Sequence, residues 1–151
     1  TLINKDWMLI TAGNRENHNT MTASWGGVGE LWGRYVSTIY IRPQRYTLEF
    51  VEREDYYSLC FFGPEYRQAL NLCGSKSGRE VDKDAATGLT PCFDEAAPYY
   101  EQARLVFLCR KLYRQDLEEG CFLDKGLLEK WYDNDLHRMF IGEIVKVLEK
   151  E

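Results

Sequence analysis

Short runs of β-branched and aromatic residues, separated by Gly, Pro, Asn and Asp, dominate the hydrophobic pattern of the chain. Runs of this length and composition are typical of strands. The sequence therefore predicts six strands: WMLITAG, MTASWG, YVSTIYI, YYSLCFF, ARLVFLCRKLY and MFIGEIVKVL. In YVSTIYI neither of the two alternating faces is strongly polar, so we expect this strand to be covered on both sides, by a core and by a partner subunit or ligand.

Helical patterns are fewer and irregularly spaced. They are TLEFVERE after Pro43, PEYRQALNLCG, in which Pro64 marks the first turn and Gly74 a stop, and KGLLEKWYD near residues 125–133. A fold built from repeated βαβ units needs a regular alternation of strands and helices, which this chain lacks. We predict a mainly β protein, a closed or partly closed antiparallel barrel with a few peripheral helices.

The composition is that of one globular domain covering residues 1–151. An apolar fraction of 44% over 151 residues is enough for a single core. The 19 Lys and Arg residues against 24 Asp and Glu residues give a net charge of −5, and no basic stretch could follow a nucleic-acid backbone. No apolar run approaches the roughly 18 residues of a membrane span, and the first residues lack the pattern of a signal peptide. We expect a cytoplasmic protein that binds neither nucleic acid nor membrane.

The five cysteines show none of the spacings that metal ligands require. No two of them form a CxxC pair or lie beside a histidine in a ligand pattern. Cys60 and Cys109 lie in apolar runs, where a free thiol acts as a small hydrophobic group. We therefore expect no metal site.

The glycine-rich stretch GVGELWG, residues 27–33, resembles part of a dinucleotide-binding fingerprint. That fingerprint requires a helix that begins within the glycines, so that its N–H groups meet a pyrophosphate. Here Gly33 and Arg34 are followed directly by the strand YVSTIYI. We expect the glycines to permit a turn between two antiparallel strands instead.

Three polar clusters are better candidates for a site that binds a phosphorylated ligand. The first is NTMTAS, residues 19–24, in which Thr20, Thr22 and Ser24 place hydroxyls on one face of a strand. The alternative is a stripe of Thr and Ser that faces solvent.

The second cluster is IRPQRYT, in which Arg42 and Arg45 bracket Pro43 near the start of the TLEFVERE helix. Guanidinium groups and free helix N–H groups both favour a phosphate, although two arginines here could equally pair with surface carboxylates.

The third cluster is GSKSGREVDK, residues 74–83. Ser77 and Gly78 could form a backbone nest for an anion, with Arg79 and Lys83 close by. Taken alone, this segment has the composition of a surface loop.

Taken together and in order, these clusters resemble the flavin reductase-like family with an FMN-binding split barrel, most closely its flavoredoxin-like branch. The residues that carry the resemblance are MTASWG, IRPQRYT, SGREVDKDAATGLT, CRKLY and DLHRMFIGEIVKVL. The resemblance covers nearly the whole chain. It implies a Greek-key split β-barrel that forms a homodimer, with FMN bound near the interface.

The resemblance also implies which residues bind FMN. The flavin ring of FMN is expected beside Asn19, Met21, Thr22, Ala23, Ser24 and Trp25. The phosphate or its surroundings are expected beside Arg42, Arg45, Tyr46 and Thr47. The rest of the phosphate cradle is expected at Ser77, Gly78, Arg79 and Lys83. His137 is the candidate catalytic residue on the nicotinamide side, the alternative being an exposed or hydrogen-bonded histidine at the entrance of a strand. Trp32 is expected in the core or at the interface.

Two positions depart from the family pattern. Tyr35 stands where a proline is expected after a basic residue, and Leu136 separates Asp135 from His137, which are often adjacent in the wider family. Tyr35 therefore adds bulk beside the expected ring site.

The expected function is an NAD(P)H:flavin oxidoreductase. It would accept a hydride from NADH or NADPH onto FMN and pass electrons to free flavin, another small molecule or a redox protein. One alternative is an FMN-dependent electron carrier reduced by a protein partner. Another is a split-barrel protein that uses the same phosphate cradle for a different ligand.

Overall fold

The computed structural model describes residues 1–150, which form nine strands and four α-helices together with two 3₁₀ turns. The strands are β1 Met8–Gly13, β2 His18–Ala23, β3 Gly26–Leu31, β4 Arg34–Ile41, β5 Tyr56–Phe61, β6 Pro91–Cys92, β7 Tyr99–Tyr100, β8 Leu105–Asp116 and β9 Arg138–Glu149. The helices are α1 Thr47–Arg53, α2 Arg67–Ser75, α3 Lys83–Thr87 and α4 Gly126–Trp131, and the 3₁₀ turns are Pro64–Tyr66 and Glu119–Cys121.

Seven strands form one antiparallel sheet in the order β2-β1-β5-β8-β9-β4-β3. Its edge strands, β2 and β3, are consecutive in the chain and are joined only by Ser24 and Trp25. Three Cα–Cα steps span at most about 11 Å, so the sheet must curl until its two edges meet. The neighbours β1 with β5 and β4 with β9 are distant in the sequence, as in a Greek key and unlike a meander. The predicted mainly β split barrel with peripheral helices is confirmed.

Two hydrophobic clusters cover the two faces of the sheet. The inner cluster includes Met8 and Ile10 of β1, together with Phe50 of α1, which packs at one end of the barrel. The outer cluster includes Leu9 of β1 and Leu70 of α2. Strand β1 is therefore buried on both faces, and α2 is fixed against the outside of the barrel beside β2.

The glycine-rich stretch agrees with its prediction at Gly33 and differs from it at Gly27 and Gly29. Gly27 and Gly29 lie within β3 and pair with Thr38 and Val36 of β4. Because glycine has no side chain that favours one backbone conformation, the hydrogen bonds to β4 determine it here. The turn follows at Trp32 and Gly33, whose φ angles are 56° and 70°. Positive φ at both central residues is typical of the tight turns that join antiparallel strands.

Other local predictions also need correction. Trp32 is 56% exposed in this turn and is not a core residue, while its place at an interface stays a prediction. The predicted strand MTASWG ends at Ala23 because the chain crosses there from one sheet edge to the other.

Two of the cysteines lie as the sequence predicts. Cys60 and Cys109 are buried as free thiols. Among residues 1–150 no group of His, Cys, Asp and Glu side chains could hold a metal ion. No helix in the same range is both long enough and apolar enough to cross a bilayer.

Candidate functional site

Two cationic side chains cap the C-terminal end of α2. Arg45 Nη1 donates to the carbonyl of Gly74 at 3.1 Å, and Lys83 Nζ donates to the carbonyls of Cys73 at 2.9 Å and Thr20 at 2.6 Å. The last carbonyls of a helix have no partners within it, so cations are favourable there. This capping fixes both cations between α2 and β2.

Arg45 keeps one guanidinium nitrogen unpaired. Its Nη2 is buried and has no hydrogen-bond partner within residues 1–150. Burial lowers the pKa of Arg45, but a guanidinium remains charged in proteins. A buried charged donor without a partner is costly, so its position indicates a place for an anionic ligand.

Arg45 borders a small cavity that we call the cradle. The cradle has a volume of about 180 Å³ and is lined by Asn19, Gln44, Arg45, Tyr46, Thr47, Gly74, Ser75, Lys76, Ser77, Gly78 and Lys83. These residues come from all three polar clusters of the sequence. No backbone hydrogen bond within residues 1–150 uses the N–H groups of Ser77 or Gly78, so the cradle offers further donors.

One wall of the cradle is tightly packed. Asn19 Nδ2 donates to Thr47 Oγ1 at 2.9 Å, and both residues are buried. A Cβ atom at Gly78 would lie 2.1 Å from Asn19 Oδ1. Gly78 is therefore needed for its lack of a side chain.

A second cleft adjoins the cradle through Arg45. This ring cleft has a volume of about 190 Å³ and is lined by Met21, Thr22, Ala23, Ser24, Trp25, Tyr40, Arg42, Arg45 and His137. Trp25 is 40% exposed and packs edge-on against Trp131, with ring centroids 4.9 Å apart. The ring cleft thus has aromatic walls and shares Arg45 with the cradle.

His137 lies in the ring cleft as a neutral side chain. It is 6% exposed, and its Nδ1 lies 2.7 Å from the hydroxyl of Tyr132. Burial lowers the pKa of His137 to about 4, and the positive charge of Arg42 adds to this effect. His137 is therefore not exposed, but its hydrogen bond with Tyr132 agrees with the other form of the alternative, a hydrogen-bonded histidine at the entrance of a strand. At neutral pH this imidazole can donate one hydrogen bond and accept another, but it carries no charge.

The lowered pKa of His137 predicts a loss of stability in acid. The folded state keeps the imidazole neutral while the unfolded state protonates it below about 6.5, so this contribution falls as the pH falls. Between about pH 7.5 and pH 5 the loss should reach up to about 2 kcal/mol. Urea unfolding of the wild type and of His137→Gln at both pH values measures it, because the variant should lose less. Equal losses in the two proteins would contradict the neutral, buried state of His137.

Arg42 does not reach the cradle. Its guanidinium donates to Asp135 Oδ2 at 2.9 Å and to the carbonyl of Trp131 at 3.0 Å, and it lies over the ring of Tyr132. These contacts fold the segment before β9 back over the ring cleft and place His137 there. Of the two arginines beside Pro43, only Arg45 borders the cradle.

The hydroxyl stripe of β2 points into the protein. Thr22 donates to the carbonyl of Leu70 in α2, and Thr20, which is 1% exposed, donates to the carbonyl of Ile10. The interpretation of this stripe as a solvent-facing surface is wrong for Thr20. The Thr22 hydroxyl donates its hydrogen to α2, so Ser24 is the residue of this stripe whose hydroxyl can donate to a ligand in the ring cleft.

The remaining predicted residues occupy the edges of the site. Arg79 lies at the rim, where its Nη2 donates to Glu49 at 3.1 Å and its guanidinium covers the ring of Tyr46 at 4.5 Å. Met21 and Ala23 bury their side chains in the inner cluster. Only their backbone is therefore expected to meet a ligand.

Sequence reasoning missed several residues that line the two cavities. They are Gln44, Ser75 and Lys76 in the cradle, and Tyr40 in the ring cleft with Trp131 and Tyr132 behind it. The predicted helix stop at Gly74, one residue before α2 ends, was a usable signal for Ser75 and Lys76. The second group had no such signal, because Trp131 and Tyr132 reach the site only through the contacts of Arg42.

Comparisons with known proteins place this geometry in a family. The model of the family described as Flavin reductase like domain matches residues 3–151. No curated protein sequence matches the chain.

Three solved structures show the same fold. Flavoredoxin from Methanosarcina acetivorans is 21% identical with a TM-score of 0.75, over 97% of this chain and 69% of that one. An FMN-binding protein from Thermus thermophilus is 23% identical with a TM-score of 0.74, over 96% and 71%. A protein with a split barrel domain from Shewanella frigidimarina is 22% identical with a TM-score of 0.77, over 97% and 68%. Because the family model covers almost all of its residues, the chain belongs to the flavin reductase-like domain family.

Proposed function

We propose that the protein binds FMN and is an oxidoreductase that takes a hydride from NADH or NADPH and passes electrons to free flavin or another acceptor. The observation that carries this proposal is the unpaired, buried Nη2 of Arg45, the residue that lines both the cradle and the neighbouring aromatic cleft. Membership of the flavin reductase-like family and the likeness to an FMN-binding protein support it.

The cradle fits a phosphate monoester in its chemistry. Such a group carries about −1.5 to −2 charges near neutral pH and has three strong acceptor oxygens. Arg45 Nη2 and the free N–H groups of Ser77 and Gly78 are the donors that would hold it. Lys83 adds positive charge, but two carbonyls already occupy its ammonium. Its main task is to fix α2 against β2.

The ring cleft fits a planar, partly polar group. When bound, FMN supplies the hydride acceptor of the reaction. The chain's own part is to orient that group beside Trp25 and His137, and to offer the Ser24 hydroxyl and backbone N–H groups where negative charge develops. A neutral His137 keeps this wall polar without adding a charge.

Absorption spectroscopy tests this function. Purified protein mixed with FMN should show the bands of bound flavin, and anaerobic addition of NADH or NADPH should bleach them within seconds. The nucleotide that bleaches them names the donor. A protein that binds no FMN would overturn the cofactor assignment.

A second candidate is an electron carrier that a redox protein reduces. Trp25 and Trp131 are 40% and 42% exposed at the mouth of the ring cleft, where a partner could approach. Bound flavin that NADH and NADPH leave unbleached would favour this function. Bleaching by either nucleotide alone would exclude it.

We also propose that the protein is a homodimer through the face formed by β3, β4 and β9. Val28, Tyr35, Val145 and Val147 are all exposed there and border one largely apolar groove. Contiguous exposed apolar surface on this scale is typical of interaction sites. A second copy of the chain with FMN bound nearby would cover it, and Tyr35, the departure from the family pattern, would lie within it.

Charged substitutions in this face should give monomers. Replacing Val28 and Val147 together with Glu places charges in an interface core, which would cost several kcal/mol per site if unpaired. Light scattering after gel filtration should show twice the mass of one chain for the wild type and the mass of one chain for the variant. Leu123→Glu is the matched control, because Leu123 is 99% exposed and does not border the groove. A monomeric wild type would overturn the dimer.

A further inference from the structure

A cluster beside the cradle joins three elements at one carboxylate. His18 Nε2 lies 2.6 Å from Asp84 Oδ2, and the hydroxyl of Tyr100 donates to Asp84 Oδ1 at 2.6 Å. His18 begins β2, Asp84 belongs to α3 and Tyr100 to β7. We call these three residues the clamp. It borders a cavity of about 560 Å³ that shares Asn19 and Lys83 with the cradle.

The clamp residues are next to cradle residues in the sequence. Asn19 follows His18 and donates to Thr47, while Lys83 precedes Asp84 and donates to the carbonyls of β2 and α2. Separating His18 from Asp84 would therefore shift α3 and its loop against β2. That loop carries Ser77 and Gly78, the backbone donors of the cradle.

We propose that His18 is a positioning residue that holds the cradle in shape through Asp84, and that it makes the affinity for FMN fall as the pH rises above neutrality. This inference rests on the proposed binding of FMN. It concerns a histidine that does not line the ring cleft or the cradle.

The surroundings of His18 favour its protonated form. The hydrogen bond with Asp84 raises the pKa of His18 above its ordinary value of 6.5; burial opposes this rise, and the charge of Asp84, the backbone of Asn14 and the charge of Asp82 support it. Burial would raise the pKa of Asp84, but the hydrogen bonds from His18 and Tyr100 hold it below its ordinary value. The other charged groups around this cavity are Arg15, Glu16, Arg79, Glu80 and Lys83.

The sign of the effect follows from the raised pKa of His18. A group whose pKa is raised on folding contributes stability below its unfolded pKa, and this contribution disappears as the pH rises through the folded value. A neutral imidazole has only one N–H to donate, whereas the protonated ring has two. The interaction of His18 with Asp84 should therefore weaken above about pH 6.5. The loop of the cradle should then be held less firmly.

The test is the pH dependence of the Kd for FMN and for riboflavin, measured by flavin fluorescence at about pH 6, 7, 8 and 9 on the wild type, His18→Gln and Asp84→Asn. A partly exposed ion pair contributes up to about 1 kcal/mol, so His18→Gln should bind FMN about three- to fivefold more weakly at the lowest pH. The two proteins should converge at the highest pH, and the loss for riboflavin should be smaller. Asp84→Asn should also flatten the pH dependence.

The comparison has built-in controls. The phosphate of FMN itself ionises near pH 6. The ratio of the Kd of the variant to the Kd of the wild type at each pH cancels this effect, because both proteins bind the same ligand. Asp6→Asn removes an exposed carboxylate that lies 3.5 Å from Arg104, away from both cavities. This variant should follow the wild type at every pH.

The outcomes separate this inference from the proposed function. Suppose that the wild type binds FMN. A ratio of the Kd of His18→Gln to the Kd of the wild type that stays constant across the pH range overturns the inference alone. So does a loss of affinity in His18→Gln that is equal for riboflavin and FMN. A wild type that binds no FMN at any pH overturns both.

A second measurement needs no flavin. Amide hydrogen exchange of residues 77–87, corrected for the intrinsic pH dependence, should quicken as the pH rises in the wild type. In His18→Gln it should be fast throughout. Unchanged protection of this segment in the wild type would also contradict the clamp.

Discussion

Arg45→Ala should weaken FMN binding by about 1.5 to 3 kcal/mol, the range for hydrogen bonds to charged groups. This corresponds to a roughly 10- to 150-fold rise in Kd. The reason is that Arg45 offers its buried, unpaired Nη2 to the cradle while Nη1 is fixed by the carbonyl of Gly74. Titration of flavin fluorescence measures the change.

Two comparisons make this result specific to the phosphate. Riboflavin lacks the phosphate and should lose much less affinity in Arg45→Ala. Arg79→Ala should weaken FMN binding by less than Arg45→Ala, because its half-exposed guanidinium is already paired with Glu49. Unchanged FMN affinity in Arg45→Ala would remove this residue from the site.

Gly78→Ala should reduce both the affinity for FMN and the stability of the protein. The new Cβ would lie 2.1 Å from Asn19 Oδ1, so Asn19 must move and its hydrogen bond to Thr47 breaks. Overpacking of this kind costs about 1 to 3 kcal/mol of unfolding free energy. Because Asn19 lines the cradle, we expect the Kd for FMN to rise roughly tenfold, an effect of about 1.4 kcal/mol.

Gly120→Ala is the matched control for Gly78→Ala. A Cβ atom at Gly120 meets no heavy atom within 4 Å, so neither stability nor flavin affinity should change by more than about 0.5 kcal/mol. Urea unfolding and FMN titration on both variants give the comparison. If Gly78→Ala behaves like Gly120→Ala, the packing of Asn19 against the loop has no role in the site.

The hydrophobic pattern predicted best those strands that are buried on two faces, such as β1 and β5. A run such as YYSLCFF, which became β5, is apolar on successive positions and leaves little choice of element. The pattern failed at Ser24 and Trp25, where the chain crosses from one sheet edge to the other. Nothing in the composition of MTASWG marks that crossing, because it is set by the closure of the whole sheet. Helix α3, with five residues, is too short for a periodic signal.

The candidate site could be predicted in its residue types but not in its pairings. Arg42 and Arg45 are equivalent in the sequence, one on each side of Pro43 with one residue between Pro43 and Arg45. The structure separates them because Asp135 folds back onto Arg42, while the end of α2 takes Arg45. Both partners are distant in the chain, so no local pattern could assign them. The identification of the ligand as FMN came from the resemblance to a family, and FMN binding stays a proposal.

The two-residue link between β2 and β3 has a consequence for how the chain could be divided. No rung of the sheet pairs β2 with β3, so cutting the backbone between Ser24 and Trp25 would break no ladder hydrogen bond. The fragment before the cut would keep the pairing of β1 with β5 and the hydrogen bonds of β2 with α2 and α3 as its contacts with the remainder. The two pieces should therefore reassemble when mixed, and the same peptide bond is the natural point at which to split the protein for complementation.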